Sequence, residues 1–386
     1  MTNYKTEILL NDSQKELFWK TVGTCRYIYN LYLDKEKEYY EKKKKFLSAY
    51  SFGKEITKLS STEEFKWIKE ISSKAVKQTI INAEKAYKRF FRLKKGYPRY
   101  KSRHNNNCSY YFVKTDAKAI IKCERHRIKI PCLGWVQLRE FGYIPVTGKD
   151  IISSGNISFK AGKFFISVVC RGFRELKSIE EKSEGIGIDL GLKDLAILSN
   201  GEKIKNPSKT KSGKRKIKRI KLENRKFSRK KRNSKNRDKQ KVKLQKAYQN
   251  YSFYKNDYIN KKVFNVVRTN PQYITLEDLN ISGMMKNHKL AGSFQKSSLS
   301  QFKTTLIAKA QQYKIELREV DRFFPSSKLC SKCSALQDMP LKERIYYCSC
   351  GNTIDRDINA AVNLKQAEVF RFILPKAIGK VTPVEC

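Results

Sequence analysis

The chain reads as a multidomain protein that joins α+β and α/β parts, and three observations carry that reading. Helix-period apolar stripes fill the first hundred or so residues, and short alternating segments follow to about residue 173. Apolar strands bearing single carboxylates then alternate with helical stretches and a cysteine cluster. At 386 residues the chain exceeds the size at which one hydrophobic core keeps growing, so two or three modules are expected.

Taken in order, Asn11 to Ser13 supply helix-capping chemistry, and Phe18, Val22, Cys25, Tyr29 and Tyr32 then recur at steps of three or four. A second stripe runs Val76, Ile80, Ala83, Tyr87, Phe90 and stops at "KKGYPRYKSR", where Gly96 and Pro98 break helices. "RIKIPCLGWVQLRE" and "GNISFKAGKFFISVVC" alternate like strands, the latter around a Lys-Ala-Gly-Lys turn. They predict a small β-barrel from residues 1–10 and 108–182, in which the N-terminal "NYKTEILL" is a strand and residues 11–107 an inserted helical bundle. From Glu184, "EGIGIDLGLKDLAILSNGEKI" holds two apolar runs and an Asn200-Gly201 hairpin signal. "PQYITLEDLN", a helix from about Ser300 to Tyr313, the strand "KIELREVD", the cysteines and the helix "DINAAVNLKQAEVF" follow, and residues 375–386 read as a tail. No internal repeat is visible.

The balance of 83 Lys+Arg against 37 Asp+Glu, a formal charge of +46, would repel itself unless a polyanion lay against it, which points to nucleic acid. No run of about 18 apolar residues occurs and the start lacks a signal-peptide core, so a membrane is a poor alternative and a cytoplasmic, nucleoid-associated setting is expected. Residues 203–246 carry 22 Lys/Arg against 2 acids and have partly helical spacing. Such runs are more often a solvated face than a site, but this one lies between two acid-bearing strands and predicts a basic helical insert.

Four of ten cysteines fall within Cys330 to Cys350, as Cys330-x-x-Cys333, 14 residues, then Cys348-x-Cys350. Two thiolate knuckles at this spacing suit one tetrahedral Zn²⁺, and a closed four-sulfur site is structural, so a zinc ribbon over residues 328–350 is expected. The six other cysteines are scattered, as in a reducing compartment, and the three histidines have no ligand-like spacing.

Asp189 sits in the apolar strand "GIGIDLG", Glu277 ends "YITLEDL", and Asp355 and Asp357 stand where the last helix begins. One acid in an apolar strand is usually an accident or a capped group. Two such strands plus an acidic helix start are tolerable together only if cations neutralise them, and oxygen donors select Mg²⁺ or Mn²⁺. Two such ions can activate water and stabilise the leaving oxygen of a phosphodiester. Strand-hairpin with Asp, later strand with Glu and terminal helix with Asp is the order of an RNase H-like nuclease.

The stretches "GIDLGLKDLAILSNG", "ITLEDLNISGM", "FFPSSKLCSKC" and "CSCGNTIDRDINAAVNL", with weaker echoes in "CRYIYNLYL" and "GYPRYKS", resemble the TnpB family of bacterial insertion sequences, related to compact type V CRISPR effectors. The resemblance implies an RNA-guided, metal-dependent DNA endonuclease with a RuvC-like domain over 183–327 and 351–374, and a wedge-type barrel and recognition helices before it. It implies Asp189, Glu277 and Asp357 as catalytic Mg²⁺ ligands, with Asp355 a helix-start partner. It also implies a guide RNA and double-stranded target DNA as partners, a short flanking motif read by a protein that is a monomer on its RNA, and no membrane. Nucleic-acid contacts are expected at Arg99, Tyr100, Lys101, Lys214, Arg215, Lys218, Arg219, Arg229 and Lys230. The chain departs from the family at Ser334, where Gly usually follows the first knuckle, and at Asn260, where His is frequent. A guide-dependent repressor without cleavage and an RNA-independent transposase or resolvase are the rival readings.

Overall fold

The computed structural model describes residues 2–93, 96–103, 108–114, 121–146, 151–171, 181–340 and 343–373. The expected tail lies outside them. The chain divides into two compact units, Met1–Arg174 and Glu175–Cys386.

In the first unit, strand β1 (Thr2–Leu9) leads into helix α1 (Asp12–Lys43), whose start is fixed by a reciprocal cap: Asn11 accepts from the Gln14 amide N–H and Gln14 Oε1 accepts from that of Asn11. Helix α2 (Ala49–Leu59), a 3-10 helix (Glu63–Glu70) and helix α3 (Ser73–Leu93) follow, then strands β2 (Cys108–Val113), β3 (Arg127–Ile130), β4 (Gly134–Leu138), β5 (Ile151–Lys160) and β6 (Lys163–Arg171). The sheet order is β2-β5-β6-β1-β4-β3, so β1 is an inner strand and the helices lie in the chain between it and the other strands. Among the described strands the hydrogen-bond order is open, with β2 and β3 at its edges. The β5–β6 turn places Ala161 and Gly162 at φ 52° and 83°, the left-handed pair of a two-residue hairpin. Phe18, Val22, Cys25, Tyr29 and Tyr32 all face one core shared by helices and sheet.

The second unit runs β7 (Ile186–Asp189), β8 (Asp194–Leu198), β9 (Lys203–Lys205), α4 (Lys211–Ser228), α5 (Lys235–Arg268), β10 (Tyr273–Glu277), α6 (Ile281–Met284), α7 (His288–Ser297), α8 (Leu299–Gln312), β11 (Glu316–Val320), β12 (Ile345–Tyr347), β13 (Thr353–Asp355), α9 (Arg356–Gln366) and β14 (Arg371–Phe372). Its sheet order is β14-β11-β10-β7-β8-β9; β8 runs antiparallel to both β7 and β9, and β10 runs parallel to both β7 and β11. Side chains alternate across a strand. Ile186, Ile188, Ile274 and Leu276 therefore point together into a core with Ile259, Val263 and Val266 of α5 and Phe302 and Leu306 of α8. Gly187, Asp189, Thr275 and Glu277 point to the opposite face.

Two expected boundaries move. Lys203–Lys205 is a sheet strand with Ile204 wholly buried, so the basic insert begins after it, at α4, and its second helix extends to Arg268. The cysteine segment does not end at residue 350, because β12 pairs with β13 and carries the hairpin to Asp355. No described helix is long and apolar enough to cross a membrane.

Candidate active site and metal centre

Parallel register pairs Thr275 with Gly187 and Leu276 with Ile188, so the next residues, Glu277 and Asp189, end their strands side by side on one face. Helix α9 covers that face. At Gly187 an added Cβ would lie 2.0 Å from the Ala361 carbonyl oxygen and 2.4 Å from the Lys365 nitrogen, so helix backbone rests on strand backbone. Asp357 is one turn of α9 before Ala361, about 6 Å along the axis, and Asp189 is two residues beyond Gly187, about 6.6 Å along the strand. The two displacements match. A helix crossing at Gly187 with this polarity brings Asp357 over Asp189.

The electrostatics agree. Burial, then the charges of Asp357 and Glu277, raise the Asp189 carboxyl to about 7, against the opposing pull of Arg356 and the Leu190 amide. Burial also raises Glu277, with Asp278 adding to it and the Lys303 ammonium opposing. Lys303 donates to the Glu277 carbonyl at 3.1 Å and pairs with Glu319 at 2.7 Å, both groups largely buried. Asp357 has Arg344 at 3.8 Å and Arg356 at 3.6 Å. Asp355 acts differently. It is the N-cap of α9, accepting from the amides of Asp357 and Ile358, and Lys203 binds its other oxygen at 2.6 Å.

The second cluster is made of sulfur. Among the described residues, Cys330, Cys333, Cys348 and Cys350 form the one group of three or more possible ligands drawn close enough to hold a metal, all sulfurs within 4.8 Å of one another. The Cys330–Cys350 and Cys333–Cys348 separations are 3.7 and 3.6 Å, against the roughly 3.8 Å edge of a tetrahedron with 2.3 Å zinc–sulfur bonds. The donor set thus fits zinc. Residues after both knuckles are left-handed, Ser334 at φ 59° and Gly351 at φ 81°. Tyr346, fully buried, is the centre of a small core with Cys330 and Met339.

Of the expected nucleic-acid residues, Lys214, Arg215, Lys218, Arg219, Arg229 and Lys230 are exposed on α4 and just after it, with Arg219 paired to the buried Glu223 at 2.7 Å. Arg99 and Tyr100 are also exposed, the Tyr100 hydroxyl donating to Asp34. Lys101 is exposed as a residue too, although its ammonium lies 3.9 Å over the Tyr29 ring of α1, where burial lowers its pKa. Two features escaped the sequence reading: the bare contact at Gly187, and the buried Asn359 and Asn363, which bind the backbone before and within the first knuckle.

Three family models match the chain in order: "Helix-turn-helix domain" over residues 1–45, "Probable transposase" of the OrfB IS605 type over 173–288, and "Cas12f1-like, TNB domain" over 300–364. Within the first span the structure holds a strand and one uninterrupted helix from Asp12 to Lys43. A "Putative RNA-guided DNA endonuclease" of Streptomyces pristinaespiralis is 29% identical over 370 residues, spanning 94% of this chain and 88% of that protein. InsQ of Escherichia coli K12, of the same description, is 30% identical over 268 residues, 69% of this chain and 63% of its own length. The structure of Cas12f1 with sgRNA and target DNA superposes with a TM-score of 0.61 at 15% identity, covering 94% of this chain and 84% of that one. These matches define a transposase-associated protein with a Cas12f1-like fold. The chain belongs to the TnpB family.

Gly187→Ala is expected to push α9 off the sheet, lowering unfolding free energy by about 2–3 kcal/mol in denaturant titration. Ser334→Gly relieves about 1–2 kcal/mol of left-handed strain and returns about 0.5–1 kcal/mol of unfolded-chain entropy, so a small net gain in stability is expected in the same titration. Asp189→Asn has a pH signature. A carboxyl raised in the fold keeps its proton while the unfolded chain loses it, so its presence costs increasing stability from about pH 4 to about 7. The Asn variant should melt higher than the parent at pH 8 without divalent ions and match it near pH 4.

Proposed function

We propose that this chain is an RNA-guided DNA endonuclease whose second unit hydrolyses DNA phosphodiesters through Asp189, Glu277 and Asp357. The observation that carries the reading is geometric: strand register ends Asp189 and Glu277 side by side and the contact at Gly187 lays α9 over them, with Asp189 raised to about 7 by burial first and by the charges of Asp357 and Glu277 second. Carboxylate oxygens of Asp189, Glu277 and Asp357 are of the donor type that would hold Mg²⁺ or Mn²⁺. Supporting it, the order β9-β8-β7-β10-β11, three antiparallel strands then two parallel ones, is that of an RNase H-like, RuvC-type fold with acids ending its first and fourth strands.

Bound divalent ions would supply activation of water and stabilisation of the leaving oxygen. The chain's own residues do the rest. Asp189, in its deprotonated form, would hold the cation, Lys303 opposes the upward shift of Glu277, and Arg344 and Arg356 bring positive charge beside Asp357. The four cysteines hold a structural Zn²⁺. We assign residues 1–10 and 108–182 to a wedge-type barrel and 11–107 to the helices that recognise RNA and a flanking DNA motif.

The exposed cations of α4 and its C-terminal loop would lie along RNA or heteroduplex phosphates, giving affinity that falls steeply with salt. Target sequence would be read by base pairing with the guide. The relatives' description as RNA-guided endonucleases and the nucleic-acid complex of Cas12f1 favour this reading.

With co-purified guide RNA, a matching plasmid and Mg²⁺, the protein is expected to cut, and Asp189→Ala to reduce cutting by about a thousandfold or more while retaining DNA binding. The rate should rise with pH through about 7, because protonated Asp189 cannot hold the ion, and more Mg²⁺ should move the midpoint lower. Undiminished cutting after RNase treatment, or by the Asp189→Ala variant, would exclude the proposal.

A further inference from the structure

Asn359 and Asn363 stand one turn apart on α9 and are 0% and 2% exposed. Their carboxamides leave the helix. Asn359 Nδ2 donates to the Leu329 carbonyl at 2.7 Å and its Oδ1 accepts from the Ser331 amide at 3.0 Å. Asn363 Nδ2 donates to the carbonyls of Leu329 at 2.6 Å and Ser326 at 2.7 Å. Ser331 is inside the first knuckle, directly after Cys330. The second knuckle is tied in as well: Asn352, just past Cys350, donates to Cys330 Sγ at 3.4 Å, and the Arg356 amide donates to the Arg344 carbonyl at 2.8 Å.

Helix formation asks for none of this, since asparagine is a weak helix former and a leucine would fill the same volume. We propose that Asn359, seconded by Asn363, is a positioning residue that couples zinc occupancy of the ribbon to the placement of Asp357, two residues earlier on the same helix. The inference rests on the zinc and nuclease readings above.

Buried carboxamides that lose their partners are costly. Four thiolates without a cation repel, the knuckle that presents Ser331 and Leu329 loosens, and the Asn359 side chain is left unsatisfied unless α9 shifts with it. Such a shift moves Asp357 away from Asp189 and Glu277. Coupling between two binding sites is reciprocal. A divalent cation held by the acids must therefore also raise the affinity of the cysteines for zinc, although the two sets of ligands share no residue.

The test uses the full-length, zinc-loaded protein and measures its zinc affinity by equilibrium competition with a chromogenic chelator, with and without Mn²⁺. In the parent protein Mn²⁺ is expected to raise zinc affinity about fivefold or more, the low end of ordinary coupling energies. Asp189→Ala should abolish the Mn²⁺ effect. Asn359→Leu should bind zinc more weakly and lose the Mn²⁺ effect, while Asn359→Asp, which keeps the acceptor for Ser331 but not the donor to Leu329, should fall between. Leu364→Ala is the control: it empties a fully buried position of the same helix without touching these hydrogen bonds, and should keep the Mn²⁺ response. Parent-like zinc affinity and Mn²⁺ response in Asn359→Leu, or a response lost equally in Leu364→Ala, overturns the coupling while a cleavage-dead Asp189→Ala leaves the nuclease reading standing. An Asp189→Ala protein that still cuts and still shows the Mn²⁺ effect overturns both.

Discussion

Helix α9 rests on bare backbone where it crosses β7, and the closeness of that crossing decides which carboxylates share one space. A side chain at Gly187 would have to occupy the positions of the Ala361 carbonyl and the Lys365 amide. With none there, the helix sits low enough for its first turn to reach the strand ends. The strands bring Asp189 and Glu277 by register, and the helix brings Asp357 from a segment 168 positions later in the chain than Asp189. Three acids that a random coil would keep apart are thereby brought to one face of the sheet, without their oxygens closing to the mutual spacing that the four sulfurs reach.

The convergence is set against the rest of the molecule. A protein with a formal charge of +46 has cations in excess almost everywhere, yet Asp189 is raised because burial and like charge outweigh the arginine nearby. Around the acids, Lys303 pairs with Glu319, Arg371 with Asp278 and Glu319, and Lys203 with Asp355, while Arg344 and Arg356 lie beside Asp357. These cations do not cancel the burial of Asp189, so its raised carboxyl costs folding stability above about pH 4.

Much of this was legible beforehand because it is local. The stripe from Phe18 to Tyr32, the hairpin around Ala161-Gly162, the strands "GIGID" and "YITLE" and the cysteine knuckles each announce themselves by spacing of a few residues. What stayed hidden depends on partners far along the chain. "GIGID" looks like an ordinary apolar strand until Ala361 is placed on Gly187. Asn359 and Asn363 look like neutral helix residues until the backbone of Ser326 to Ser331 arrives beside them. Lys101, one cation among many in sequence, is drawn onto the Tyr29 ring by the folding of its neighbours. Lys203–Lys205 belongs to a basic run by composition, but Ile204 between the lysines has a core to enter and the strand wins.

The join between ribbon and helix has no slack. Asp355 closes the β12–β13 hairpin opposite Ile345 and also caps α9, whose first residue is Arg356. With 3.6 residues to a turn, one residue added or removed there would rotate the whole helix by about 100° relative to the hairpin. Gly187 would then meet a different side of the helix, and the acid would swing out of line. The junction acts as a keyway, setting the angular phase of the Asp357 side chain by chain length alone.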